Sequence, residues 1–233
     1  MNIQLTRKQM TRMLYSLKGD MNNSPTEVIH ELFGKQKLSQ TKLHSLLKKL
    51  EKKRIRHEEF GLSTNEIVTL ANMCELTSLK STSIQNWIKR DVKELIGAPD
   101  LGKKYSIDQV AILLIVRDLK AVFDFETIRN LLTIVFNNLS DRSDDLVSPI
   151  VFYETYSTIL DQLERMPGIS VGNQVIEEKI IYEVELYKHS FLELTTKQWN
   201  QIRNILVMTI LAVLTSHIQT RALSYLQNLH NED

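Results

Sequence analysis

Four segments carry one helix-start signature, a hydroxyl residue followed three places later by Glu or Gln: Thr6 with Gln9, Ser63 with Glu66, Ser106 with Gln109, Thr195 with Gln198. In such a box the hydroxyl accepts from the third backbone amide of the new helix, and the longer side chain reaches back to the first. Two amides that no helical carbonyl can serve are thereby satisfied. Independent starts of one kind, spread along the whole chain, constrain it to a mainly α fold. Seven Gly and four Pro among 233 residues leave few interruptions. Turn-forming clusters near Gly19–Pro25, Gly97–Gly102 and Pro167–Asn173 separate runs whose apolar residues recur three and four apart.

Composition narrows the function. A hydrophobic fraction of 42% excludes a disordered chain, and this length suits one or two globular domains. Cys74 has no second cysteine to pair with, which excludes an internal disulfide and every multi-cysteine zinc pattern and fits a reducing compartment; a cytoplasmic location is expected. Arg7, Lys8, Arg12 and Lys18 interrupt the first apolar residues, so no secretory leader is expected. The uncharged stretch between Arg203 and Arg221 contains Asn204, Thr209, Ser216, His217 and Gln219, which favours a buried helix over a membrane span. His30, His44, His57, His189, His217 and His230 form no pair at metal spacing, and there is no Gly-rich phosphate loop or nucleophile elbow. No metal, cofactor or catalytic activity is expected.

Charge is graded along the chain. Residues 1–60 hold 13 basic and 6 acidic side chains, residues 61–139 hold 9 of each, and residues 140–233 hold 7 and 13. Three regions are expected on this basis: a basic helical region 1–60, a central unit 61–139 and a helical carboxyl-terminal unit 140–233. From Thr41 to Arg56 leucines recur at helical spacing among Lys48, Lys49, Lys52, Lys53 and Arg54, which describes a basic amphipathic helix: a phosphate-contacting surface or an ordinary solvated face.

The central unit has the most specific order of elements. Ser63–Glu75 reads as a helix with Ile67, Leu70, Ala71 and Cys74 on one face. A short loop leads to a second helix, Ser83–Arg90, capped by Ser81 or Thr82, with Ile84, Trp87 and Ile88 inward and Ser83, Gln85, Asn86, Lys89 and Arg90 on the other side. Helix, turn and polar helix form the helix-turn-helix pattern, whose second helix enters the major groove of DNA. Gln and Asn pair bidentately with adenine edges, and Arg or Lys with guanine or phosphate. Val92–Ile96 and Gly102–Tyr105 are then expected as the two strands of a wing presenting Lys103, Lys104 and Tyr105 to phosphates. Ser106 caps a helix to about Lys120, and Asp124 caps another over Phe125–Phe136.

Asn86-Trp-Ile-Lys-Arg90, Gly102-Lys-Lys-Tyr-Ser106 and Phe123-Asp-Phe-Glu-Thr-Ile128 with Leu131-Leu132 resemble the DNA-binding domain of the MerR family over about residues 63–136. The resemblance implies a winged helix-turn-helix in which Gln85, Asn86, Lys89 and Arg90 face DNA while Lys103, Lys104 and Tyr105 hold phosphates. Gln85, Asn86 and Trp87 stand where that family has Arg-Tyr-Tyr. The wider stretch, with Ser81–Arg90, Leu101–Ser106 and Asp141-Arg-Ser-Asp-Asp145, is also similar to an uncharacterised family of low-GC Gram-positive bacteria, a domain of unknown function.

Beyond Pro149, a helix carries Phe152, Tyr156, Ile159 and Leu163, and another carries Ile176, Ile180, Val184, Tyr187 and Phe191, although Glu183–Tyr187 also alternates with strand period. The last helix, about Lys197–Leu229, has two stripes: Trp199, Ile202, Leu206, Thr209 and Val213, then Leu211, Leu214, Ile218, Ala222, Tyr225 and Leu229. The second stripe suits either a homodimer interface or a bundle within one chain. Tyr153, Tyr156, Met166, Tyr182 and Tyr187 line an effector pocket in one reading and are plain core in the other. The expected function is DNA-binding transcription regulation with double-stranded DNA as partner; the alternative is a helical protein–protein adaptor that keeps the fold without touching DNA.

Overall fold

The computed structural model describes residues 4–34, 47–48, 51–52, 60–76, 79–136, 145–165 and 175–229. All four capping boxes form, and a fifth, Ser24 with Glu27, starts the helix that has Pro25 at its first position. The helices are α1 (Arg7–Lys18), α2 (Pro25–Phe33), α3 (Thr64–Ala71), α4 (Ser81–Asn86), α5 (Lys93–Ile96), α6 (Ile107–Leu119), α7 (Phe125–Phe136), α8 (Pro149–Arg165), α9 (Val175–Leu186) and α10 (Thr196–Leu229). The ambiguous segment Glu183–Leu186 is helical, because Ile176, Ile180 and Val184 are buried at helical spacing. Among the described residues there is no strand, only isolated bridges.

The central helix α6 is apolar on nearly all sides, and Val110 to Val116 are all buried, the pattern of a helix surrounded by others. Helices α1, α5, α8 and α10 pack around it. Helix α1 lies along α8, joined by Thr11 Oγ1 to Ser157 Oγ at 2.9 Å and Lys8 Nζ to Asp161 at 3.0 Å. Edge-to-face rings, Phe136 on Phe152 and Phe152 on Tyr156, fill the space under α7 and α8. Tyr153 and Tyr156 belong to this core, Tyr182 points outward at 63% exposure and Met166 lies outside the described residues, so the tyrosines line no common pocket. The three regions separated by charge share one hydrophobic core.

Two features depart from the expected centre. Val92–Ile96 is not a strand: Ile84, Ile88, Val92, Leu95 and Ile96 make one buried helical stripe that Gly97 ends at φ 72°. What stands in place of the wing is a tight turn, closed by paired backbone bonds between Leu101 and Lys104 around Gly102 at φ 69°. The turn is seated by a second bridge, Leu62 to Tyr105, against Gly61, where a Cβ would fall 2.9 Å from Leu101 Cδ1 and 3.0 Å from the Tyr105 carbonyl oxygen. Of the basic helix 41–56, residues 47–48 and 51–52 are described as helical, with Leu47 buried and Lys48 and Lys52 exposed; the remainder lies outside the described residues, as do Asp141–Asp144.

Helix α10 runs 34 residues, about 50 Å. Thr196–Leu226 is long and apolar enough to cross a bilayer. Its first stripe is instead consumed by packing: Trp199, Ile202, Leu206, Thr209 and Val213 are buried against α6, α8 and α9. Beyond His217 the helix leaves the core, with Ile218 48%, Leu223 51%, Tyr225 74% and Leu226 51% exposed.

Candidate functional site

The second helix of the central pair is irregular in a way that sets its outer face. Helix α4 passes into a π turn over Trp87–Asp91, closed by the Val92 amide on the Trp87 carbonyl oxygen at 2.9 Å. The turn keeps Ile84, Ile88 and Val92 in the core and leaves Gln85, Asn86, Lys89, Arg90 and Lys93 exposed together; Ser83 is half-buried. π turns of this kind occur often at functional sites. The Arg129 guanidinium of α7 donates to the Asp91 carbonyl oxygen at 2.5 Å, which caps the turn and ties the face to the core. Trp87 is wedged edge-on against Phe125, ring centres 5.8 Å apart.

The loop between α3 and α4 is held by Asn72, whose amide group both donates to the Leu79 carbonyl (2.9 Å) and accepts from the Leu79 amide (2.7 Å). Ser81 Oγ donates to Asn65 Oδ1 at 2.9 Å, a second tie between the pair. Residues 79–104 carry six basic and three acidic side chains, so this face is positive although the central unit as a whole is balanced.

The expected phosphate contacts divide. Lys103 sits exposed at the tip of the 101–104 turn. Lys104 is instead 3.2 Å from Glu66 Oε2, whose carboxyl is held below its usual range: burial works against that shift, and bonds from Ser63 and Lys104 outweigh it. Tyr105 is 8% exposed and belongs to the core. Lys93, absent from the sequence expectation because its segment reads there as a strand, joins the exposed face.

Directly behind this face lies a charged centre that the sequence reading missed. The backbone of Leu5 pairs with Met73 and Glu75 at 2.6 and 2.8 Å, and this fixes where Arg7, the first residue of α1, enters the core. Arg7 grips Asp118 of α6 with two bonds, Nε to Oδ2 at 2.9 Å and Nη2 to Oδ1 at 3.0 Å. Arg117 Nε and Nη2 donate to Asp118 Oδ1 at 2.8 and 2.6 Å, and Tyr156 donates its hydroxyl to Oδ2 at 2.8 Å. Burial alone would raise the Asp118 pKa, but Arg117 and Arg7 hold it down at about 2, and Asp118 in turn keeps both guanidinium groups charged. Glu75 approaches Arg7 Nη1 at 3.4 Å; its own pKa is raised by burial.

His217 of α10 completes the centre, its Nε2 2.9 Å from Arg7 Nη1. An arginine can only donate, so Nε2 accepts and the neutral ring carries its proton on Nδ1. Burial first, and then Arg7, push the His217 pKa down to about 4. The unfolded chain therefore takes up a proton below pH 6.5 that the folded chain refuses until about pH 4. This contribution to stability is complete above pH 6.5 and is lost as pH falls toward 4; that of Asp118 is lost only between 3.8 and about 2. Urea unfolding at pH 7 and pH 5 should show a loss on the order of 1–2 kcal/mol from this group, and His217→Asn should remove that part of the slope. An unchanged slope in the variant would place the titration elsewhere.

Among the described residues no group of three or more His, Cys, Asp or Glu is disposed to hold a metal ion. Exposed polar row, capped π turn and buried arginine–aspartate centre together describe a mainly helical protein with an ionic core. Residues 55–156 match a domain of unknown function, DUF1836. The chain shares 48% identity over 226 residues with YkrK, an uncharacterised protein of Bacillus subtilis, across 95% of this chain and 97% of that one. The chain belongs to this uncharacterised family. No solved structure matches it.

Proposed function

We propose that this protein is a DNA-binding regulator of transcription that reads the major groove with the α4 helix, in the manner of the MerR-like helix-turn-helix its sequence resembles. The observation that carries the reading is the exposed row Gln85, Asn86, Lys89, Arg90 and Lys93 on a helix whose opposite side is core. Asn86 and Gln85 offer the paired donor and acceptor that adenine requires; Arg90 suits guanine, and Lys89, Lys93 and Lys103 suit phosphates. Lys104 and Tyr105 have no part in this contact set, being engaged with Glu66 and the core. Amide hydrogen exchange with and without duplex DNA tests the reading. Protection is expected over residues 81–93 and 101–104, and protection confined to other helices would contradict it.

The same reading takes the distal half of α10 as a dimer seam between two copies of the chain. Ile218, Ala222, Tyr225 and Leu229 follow one another at four, three and four residues, the spacing of a coiled-coil stripe, and the first three are exposed. A two-fold axis there would present two α4 helices to paired half-sites. Ile218→Asp with Tyr225→Asp should yield monomers in sedimentation equilibrium with the fold unchanged, since both side chains are exposed on the part of α10 that leaves the core. A doubly charged variant that stays dimeric would move the interface elsewhere.

A further inference from the structure

Helices α8, α9 and α10 pack on one another, and the end of α8, the start of α9 and the middle of α10 border a cavity of about 320 Å3. Leu211, Leu214 and Ile218 follow one another on α10 at three- and four-residue spacing, which puts them on one face, and Ile176 of α9 joins them in the lining. Thr215, in the same stripe, donates its hydroxyl to the Leu211 carbonyl oxygen at 2.8 Å and so has no proton left for a ligand. The charged lining is set apart from these side chains. Glu164, His217 and Arg221 also line an adjoining cleft of about 580 Å3, which none of the four aliphatic residues lines. Along α10, Arg221 stands about 10 Å beyond Leu214 and about 15 Å beyond Leu211 at 1.5 Å per residue. Glu164 Oε1 is 3.7 Å from Nδ1 of the neutral His217 ring, too far for a hydrogen bond. After burial and Arg7, Arg221 adds to the lowering of the His217 pKa, so its charge is near the same ring. A carboxylate and a guanidinium thus share one end of the cavity, and among the described residues neither has a hydrogen-bond partner. Glu177, exposed in the first turn of α9, adds a second carboxylate to the lining.

We infer that this cavity binds a small apolar α-amino acid as its zwitterion. The alkyl side chain fills the aliphatic part, the ammonium meets Glu164, and the carboxylate meets Arg221, whose planar fork of donors suits it. The volume is at the lower end of the range of about 300–1,000 Å3 typical of small-molecule sites, which selects a compact ligand. An acid without the ammonium brings its charge to Glu164 and Glu177 uncompensated, and an amine without the carboxylate does the same at Arg221. The lining comes from one chain and none of it lies on α4, so binding requires neither the DNA reading nor a second copy. Ile218 also begins the proposed dimer seam, and the site adjoins that seam.

Calorimetric titration of the full chain, without DNA, with L-leucine, isocaproate, isoamylamine and glycine tests the inference. Leucine should saturate a single site per chain. Each of the others lacks the ammonium, the carboxylate or the alkyl body and should bind at least about tenfold more weakly. Arg221→Ala and Glu164→Gln change exposed side chains, so melting temperatures should stay near that of the parent while leucine binding weakens by at least about tenfold in each. Leucine that does not saturate, isocaproate or isoamylamine that binds equally well, or an Arg221→Ala chain that binds leucine like the parent would each overturn the assignment.

Discussion

Asp118→Asn should cost about 3–5 kcal/mol of folding stability, read as a fall of about 6–20 °C in Tm. The substitution preserves shape and removes the one negative charge that the buried Arg7 and Arg117 both contact. Two desolvated guanidinium groups would then face a neutral amide in place of the carboxylate they share, and breaking a buried pair from one side is far more costly than the pair's net contribution. Stability of a domain is typically about 5–15 kcal/mol in all, so this single change should bring the chain near its unfolding threshold at 37 °C. Replacing the three residues together, Arg7→Met, Asp118→Leu and Arg117→Met, should cost less than Asp118→Asn alone, because no buried guanidinium is then left without its shared carboxylate. A single variant that melts with the parent would show that another carboxylate supplies the missing charge.

Lys89→Ala, Lys93→Ala and Lys103→Ala combined should weaken binding to every duplex and reduce the slope of log K against log salt by about 2.7, three phosphates at about 0.9 each. Lys104→Ala should change the slope little, since its ammonium already meets Glu66. Asn86→Ala is expected to act differently. Loss of a bidentate base contact relaxes sequence choice at one position, by about 1–3 kcal/mol of discrimination, and leaves the salt slope alone. A triple variant with the parental slope would remove these residues from the contact surface.

Helix starts were legible because capping is local: a box of four residues contains both partners of its two hydrogen bonds, and each box read from sequence forms. The error at Val92–Ile96 arose because five residues cannot reveal a period. Read from Ile84 onward, the stripe through Ile88, Val92 and Leu95 is helical, and Gly97 marks its end. The exposed residues Gln85, Asn86, Lys89 and Arg90 were equally legible, since alternation of Ile84 and Ile88 with polar residues fixes which side faces out, whereas Lys93 was hidden in the segment that reads as a strand. The pairing of Lys104 with Glu66 was not, as it depends on how the 101–104 turn folds back on α3. Least legible was the ionic centre. Arg7 and Asp118 stand 111 positions apart, and no periodicity connects them. One signal was present, Asp118 inside a helix apolar on almost every side, where an acid must find a partner to be buried at all.

The exposed row from Gln85 to Lys93 is tested most directly by fluorescence-anisotropy binding to a pool of random duplexes at about 50 and about 200 mM salt, with the retained duplexes sequenced. Binding should weaken by orders of magnitude at the higher salt and yield an enriched, two-fold symmetric motif that the Asn86→Ala variant fails to enrich. Absence of binding at the lower salt would contradict the DNA reading and leave the basic row as a surface for a protein partner.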